Sequence, residues 1–265
     1  MKTALNIHNL VPTKTPDQPE PAPIAHTFLN DIKIDHGPRQ LLGQFFLRAD
    51  SAVRRRGVTL SFAPIEELVA VNVQNQASWG MFAQTLDSRH GKIASQDSYC
   101  LLGTNDKGEV VAAQAGRLYR LHDRSLKDIA DDASLYYGDA PRPLNAISCS
   151  MTAPSAATIS GFVVYSGALW VRPDFRGQKL ATLLPRISRA FALAHWGTDY
   201  TIAFMSPQIV ASALSVQYGY KNIEPSYQVH QHGRVIFEGC LAWMTAETLA
   251  EDLFEFSSTL ISEVD

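Results

Sequence analysis

The chain has 265 residues, 46% of them hydrophobic and 18% charged, enough apolar content for a sizeable core in one large domain or two small ones. Its formal net charge of -3 argues against a nucleic-acid-binding surface, and no uninterrupted apolar run nears the roughly 18–20 residues of a membrane helix. The N-terminus lacks the apolar core of a signal peptide, and Cys100, Cys149 and Cys240 lie far apart in no metal-like spacing, so a cytoplasmic protein with buried thiols is expected.

Residues 1–26 carry five prolines, Pro12, Pro16, Pro19, Pro21 and Pro23, among polar residues. This composition predicts a flexible arm without a core of its own, followed by a single domain over 27–265. From Gln40 to Arg56 the apolar residues Leu41, Leu42, Phe45, Phe46, Ala49 and Val53 recur at helical spacing, and Arg54-Arg55-Arg56-Gly57 closes the helix. Cations suit the negative end of a helix dipole, so this basic run reads as a solvated cap rather than a phosphate site.

Val58 to Phe62 alternates as a strand does, and Pro64 with Glu66 and Glu67 opens a helix. Tyr99 to Thr104, the turn Asn105-Asp106-Lys107-Gly108 and the run from Glu109 to Leu121 read as a hairpin. Residues 122–158 are less regular: a helix over Ser125 to Ala133, then a loop through Tyr136-Tyr137-Gly138-Asp139, form an insertion at the domain edge. Ile159 to Val171 is a long strand containing Gly161 and Gly167, and a glycine within a strand marks a bulge or a close approach.

That strand leads into Trp170-Val171-Arg172-Pro173-Asp174-Phe175-Arg176-Gly177-Gln178-Lys179-Leu180-Ala181. A strand, a basic glycine-containing corner and a helix start direct unpaired backbone N–H groups at one point, an arrangement suited to a phosphate anion. The helix beyond buries Leu180, Leu183, Leu184, Ile187, Phe191 and Ala194, with a kink expected at Pro185. Tyr200 to Met205 is a buried strand and Gln208 to Gln217 a helix. Strands over about 221–230 and 234–244 turn at His232-Gly233, and Thr245 caps a final helix. Helices alternating with a mostly antiparallel sheet predict a mixed α/β fold.

The corner resembles the acyl-CoA motif of the GNAT superfamily of N-acetyltransferases, Arg/Gln-x-x-Gly-x-Gly/Ala after a strand ending in Val-x-Pro. Arg176 and Ala181 match it, and Lys179 replaces its middle glycine. Downstream, Gln208-Ile209-Val210-Ala211 stands in place of Asn-x-x-Ala. Ser215-Val216-Gln217-Tyr218-Gly219-Tyr220 stands in place of Tyr-x-x-x-Gly-Phe, with Ser215 where many relatives carry the tyrosine that protonates the leaving thiolate. The resemblance covers about Val58 to Met244.

It implies a GNAT-like acyl-CoA N-acyltransferase fold, a mixed, mostly antiparallel sheet flanked by helices, with acetyl-CoA or another acyl-CoA as cosubstrate and no metal. It also implies direct attack on the thioester by an amine, either a small molecule or a protein. Donor binding falls to Leu169, Trp170, Val171, Arg176, Gly177, Gln178, Lys179, Leu180, Ala181 and Gln208, with the thioester in a gap between Ser166–Val171 and Tyr200–Met205. Tyr218 and Ser215 are the candidates for the proton donor. The departures at Lys179 and Ser215 leave open a non-catalytic acyl-CoA sensor, and a longer acyl chain is a further alternative. Relatives often pair, so a homodimer is among the expectations. No base is legible: His195 reads as a helix cap and His230 with His232 as a hairpin rather than a metal site.

Overall fold

The computed structural model describes residues 27–80, 82–89, 93–143, 146–212 and 214–262, so the arm expected over 1–26 lies outside them. A short helix α1 (Phe28–Asp31) precedes α2 (Arg39–Arg54), whose apolar stripe Leu42, Phe45, Phe46, Ala49 and Val53 is buried. Gly57, at φ +70°, takes the left-handed conformation that ends this segment. Strand β1 (Thr59–Ala63) leads through Pro64, at the cap position, into α3 (Ile65–Gln74) and then α4 (Gln76–Trp79). Strands β2 (Ser98–Thr104) and β3 (Val110–Leu121) form the expected hairpin. Its turn is held by the Asn105 side-chain oxygen, which accepts the N–H groups of Lys107 and Glu109.

Helix α5 (Leu126–Asp131) begins in a reciprocal cap between Ser125 and Asp128. Two differences from the sequence reading follow. Tyr136 and Tyr137 lie in a helical turn, α6 (Ser134–Tyr137), and the irregular region contributes an edge strand, β4 (Ser148–Met151), to the sheet. Both tyrosines are buried, so the apolar content of this region goes into the core rather than into a peripheral loop.

Strand β5 (Gly161–Val171) is followed by α7 (Leu180–Trp196), which stays helical through Pro185 rather than breaking there. Proline lies in the second turn, where only one ladder bond, to the Ala181 carbonyl, is lost. After β6 (Tyr200–Met205), the helix expected over Gln208–Gln217 is split into α8 (Pro207–Ala211) and α9 (Leu214–Gln217). The Ser212 hydroxyl donates to the Ile209 carbonyl and accepts the Leu214 N–H, bridging the break. Strands β7 (Asn222–Gln231) and β8 (Arg234–Thr245) and helix α10 (Ala246–Ser262) complete the chain, the Thr248 N–H donating to Thr245 Oγ1 as a cap.

The eight strands form one sheet in the order β1-β2-β3-β5-β6-β8-β7-β4. All neighbours are antiparallel except β5 and β6, which run parallel. Helices α2, α7 and α10 cover one face, burying residues such as Phe45, Leu183, Ile187 and Leu253. The other face is covered by α3, α5 and α6 with Leu68, Leu126 and Leu135. The expected mixed α/β architecture is therefore present.

Candidate functional site

The parallel pair is short. Strands β5 and β6 register only at Val163 with Tyr200, Val164 with Thr201 and Tyr165 with Ile202. Beyond Tyr165 the strands part: β5 continues against β3, and β6 continues against β8. A bulge shapes the opening. Ala168 and Leu169 oppose Gln114 alone, between the pairs Gly167–Ala115 and Trp170–Ala113, and Ala168 sits at φ +55°. A left-handed alanine costs roughly 1–2 kcal/mol, strain that a packed scaffold holds at a working site. Gly167 is needed for a different reason: a Cβ there would lie 2.5 Å from the Tyr165 hydroxyl oxygen.

On the α7 side of the opening lies a cleft of about 810 Å³. Its floor is the corner between Val171 and α7. Lys179, at φ +61°, adopts the left-handed backbone that a glycine would take more cheaply, and Gly177 sits at φ +80°. Among the described residues, the N–H groups of Gly177, Gln178, Leu180 and Ala181 make no backbone hydrogen bond, so they remain available to an anion. Arg56, Arg176 and Lys179 line the cleft, and among the described residues no carboxylate does. Asp174, the acid within the corner, is drawn off by Arg172 at 2.8 and 2.9 Å, and that guanidinium holds its carboxyl below the usual range.

The three cations have distinct positions. Arg176 donates to the carbonyls of Val171 and Ser78, tying the corner to the strand end while its charge stays at the cleft. Arg56, read from sequence as a solvated cap, donates to the Gln178 carbonyl at 2.5 Å and to Ala52. It therefore braces the corner from α2.

Through the gap, on the other side, lies a second cavity of about 370 Å³ whose walls are rich in aromatic rings. Trp79, Leu169 and Tyr218 line both spaces and form the neck between them. Tyr218 is partly buried, and burial raises its hydroxyl above the ordinary tyrosine value. Its main chain is fixed by buried arginines of α7: Arg189 donates to the Tyr218 carbonyl at 2.6 Å and Arg186 to the Gln217 carbonyl at 2.6 Å. Asp252 of α10 takes a two-pronged bond from Arg186 at 2.9 Å and lies 3.6 Å from Arg189.

The residues expected from sequence divide clearly. Leu169, Trp170, Val171, Arg176, Gly177, Lys179, Leu180 and Ala181 line the cleft, and Gln178 touches it through the Arg56 contact. Trp170 stacks on Trp79 at 5.1 Å and donates to Ser78. Gln208 is exposed and lines neither space, although its neighbour Ile209 lines the inner cavity. Ser215 is buried with its hydroxyl on the carbonyls of Val210 and Ser212, and it too lines neither space. Its hydroxyl is therefore not directed at either cavity, which leaves Tyr218 as the hydroxyl at the neck. His195 is exposed, and no group of metal-ligating residues occurs among the described residues. Likewise, no helix among them is long and apolar enough to cross a membrane.

No family model matches the chain, and no curated protein matches it. Solved structures with a similar chain course include Arabidopsis thaliana NAA60 in complex with a bisubstrate analogue, at 13% identity and TM-score 0.43, covering 71% of this chain and 98% of that one. A GNAT superfamily phosphinothricin acetyltransferase from Sinorhizobium meliloti in complex with AcCoA is similar at 14% identity and TM-score 0.39, covering 71% and 88%. A spermidine N-acetyltransferase mutant from Vibrio cholerae is similar at 8% identity and TM-score 0.41, covering 73% and 96%.

Proposed function

We propose that this protein is an acyl-CoA-dependent N-acyltransferase, using acetyl-CoA and a primary amine. The observation that carries the reading is the continuity of three features: an amide-and-cation corner, an unpaired strand edge and a hydroxyl at the neck between two cavities. The amides of Gly177, Gln178, Leu180 and Ala181, with Arg56, Arg176 and Lys179 around them, suit a pyrophosphate. The open edges of β5 and β6 offer main-chain groups to a pantetheine arm, which would satisfy buried amides that otherwise lack a partner.

In this reading the strand amides at the bulge steady the negative oxygen that develops when an amine attacks the thioester carbon. The corner and the neck hold the two reactants in line. Tyr218 delivers a proton to the departing sulfur. A thiol with a pKa of about 8.5 is already a fair leaving group near neutrality, so this acid assists rather than enables the step.

Titration calorimetry with acetyl-CoA, followed by an assay of amine-dependent thiol release, tests the proposal. Saturable binding with thiol release is expected. Absence of acetyl-CoA binding would overturn it, and binding without release for any amine would leave a non-catalytic acyl-CoA binder.

A further inference from the structure

We infer that the acceptor is a small, ring-bearing primary amine that enters the inner cavity as its uncharged free base. This rests on the acyltransferase reading above and specifies its second substrate. No carboxylate lines the cavity among the described residues, and its walls come from Tyr165, Phe204, Tyr227, Phe237 and Phe82. The rings are arranged face to face, Phe204 lying 4.1 Å from Tyr227 and 5.3 Å from Tyr165. A volume of about 370 Å³ is near the lower end for ligand pockets, which suits one or two rings rather than an extended chain.

Two buried guanidiniums lie behind the walls, and the nearby carboxylates are already paired. Arg117 is buried and donates to the carbonyls of Thr85, Leu135 and Tyr136. Arg189, 0% exposed, lies 4.6 Å from the Tyr220 ring centre. Of the nearby carboxylates, Asp252 is held by Arg186 and Arg189, and Asp87 by Arg89. The titratable groups facing the space are Tyr136, Tyr165, Tyr218, Tyr220 and Tyr227, with Cys149 beside Tyr136 and Tyr227. Burial raises all of them, Tyr165 and Cys149 to about 12, so each stays neutral. An ammonium entering this space would lose its water and meet no carboxylate among the described lining residues, and both favour the neutral amine.

Four side-chain atoms of the lining lack a partner: Thr85 Oγ1 and the Tyr220 hydroxyl, which can donate or accept, and two amide oxygens, which fix how that amine is held. Gln114 is 1% exposed; its Nε2 donates to Ser166 Oγ, and its Oε1 has no partner. Gln84 Oε1 is likewise buried without one. Both side chains line the cavity, and an amide oxygen only accepts. The ligand must bring donors to both, such as an amine at one end and a hydroxyl or ring N–H at the other. The free base then attacks the acetyl carbon, a C–N bond forms as the C–S bond breaks, Tyr218 protonates the departing sulfur, and the surplus amine proton returns to the Tyr218 oxygen. No separate enzyme base is required, consistent with the lack of one at the site.

The test compares anilines, benzylamines and spermidine as acceptors with acetyl-CoA across pH. For benzylamines, kcat/KM should rise about tenfold per pH unit toward the amine's own pKa, whereas for anilines it should be flat near neutrality. An inflection that stays fixed across the series, or spermidine used within about tenfold of the best ring amine, overturns the inference. Binding of acetyl-CoA with no ring amine accepted also overturns it but spares the acyltransferase reading, whereas loss of acetyl-CoA binding sinks that reading. Gln84→Leu should raise the ring-amine KM about tenfold with acetyl-CoA affinity unchanged. A change in melting temperature alone would mean packing only. Ile236→Glu, at a partly exposed site in the wall, should raise spermidine use at least about fivefold by supplying the missing counter-charge, and no gain there counts against the inference.

Discussion

Arg56 donates from Nε to the main-chain carbonyl of Gln178 at 2.5 Å, joining residues 122 positions apart. The bond points the corner's carbonyl toward α2 and so helps turn the adjoining amides toward the cleft. Replacing Arg56 with Met keeps much of its length and removes both donor and charge. The dissociation constant for acetyl-CoA should rise about tenfold, as expected for loss of one charged hydrogen bond. Calorimetric titration reads this directly, and unchanged affinity would show that the corner holds its shape unaided.

Tyr218→Phe removes the hydroxyl at the neck without changing the ring. It should lower kcat about tenfold to a hundredfold and leave acetyl-CoA binding as it was. Burial raises this hydroxyl above its ordinary value of 10. The proton is therefore present at and above that pH and lost only as pH rises through the raised pKa. Wild-type activity should decline on the alkaline side beyond pH 10, and the variant should lack that limb. An identical alkaline limb in both proteins would assign it to another group.

The corner and its helix were legible in sequence because their signals are local. A strand, Gly177 and an amphipathic helix follow one another without interruption from Gly161 to Trp196, and each implies its neighbour's conformation. Arg56 was not legible, since reasoning from the helix dipole weighs only the ends of its own helix, and its partner is brought close by the sheet. Gln208 matched a four-residue spacing that α8 preserves, but spacing alone does not say which face a short helix turns to the cavity, and Ile209 is the residue that lines it. Tyr218 and Ser215 were equal candidates for the proton donor in sequence, and the structure puts Tyr218 alone at the cavities. The break at Ser212, with two arginines of α7 on the main chain, accompanies its position at the neck.

Gly167→Ala drives a methyl group to 2.5 Å from the Tyr165 hydroxyl and 2.6 Å from its ring. The ring must move, and it stacks on Phe204 within the core. Overpacking of this kind costs about 1–3 kcal/mol, measurable by chemical denaturation, and the ring-amine KM should rise with it. A variant as stable as the parent would mean that the strand bulge absorbs the methyl group.

Asp252→Ala leaves Arg186 and Arg189 buried without their shared carboxylate. Burial already pulls the Arg186 guanidinium down, while Asp252 supports its charge. Removing one member of a buried ion pair costs about 3–5 kcal/mol. Denaturation midpoints should fall accordingly, and kcat should fall further than the folded fraction accounts for, because the arginines also hold the Tyr218 main chain. Full stability in this variant would rule out the network as a support for α10.

With three residue pairs joining β5 to β6, the sheet divides into two four-stranded halves, β1-β2-β3-β5 and β6-β8-β7-β4, joined along a short seam. Tilting one half against the other widens or narrows the gap without disturbing either half's own ladder. A molecule lodged in this seam would tack the halves together, and amide hydrogen exchange along Ser166–Val171 and Ala203–Met205 should slow while the outer strands exchange as before.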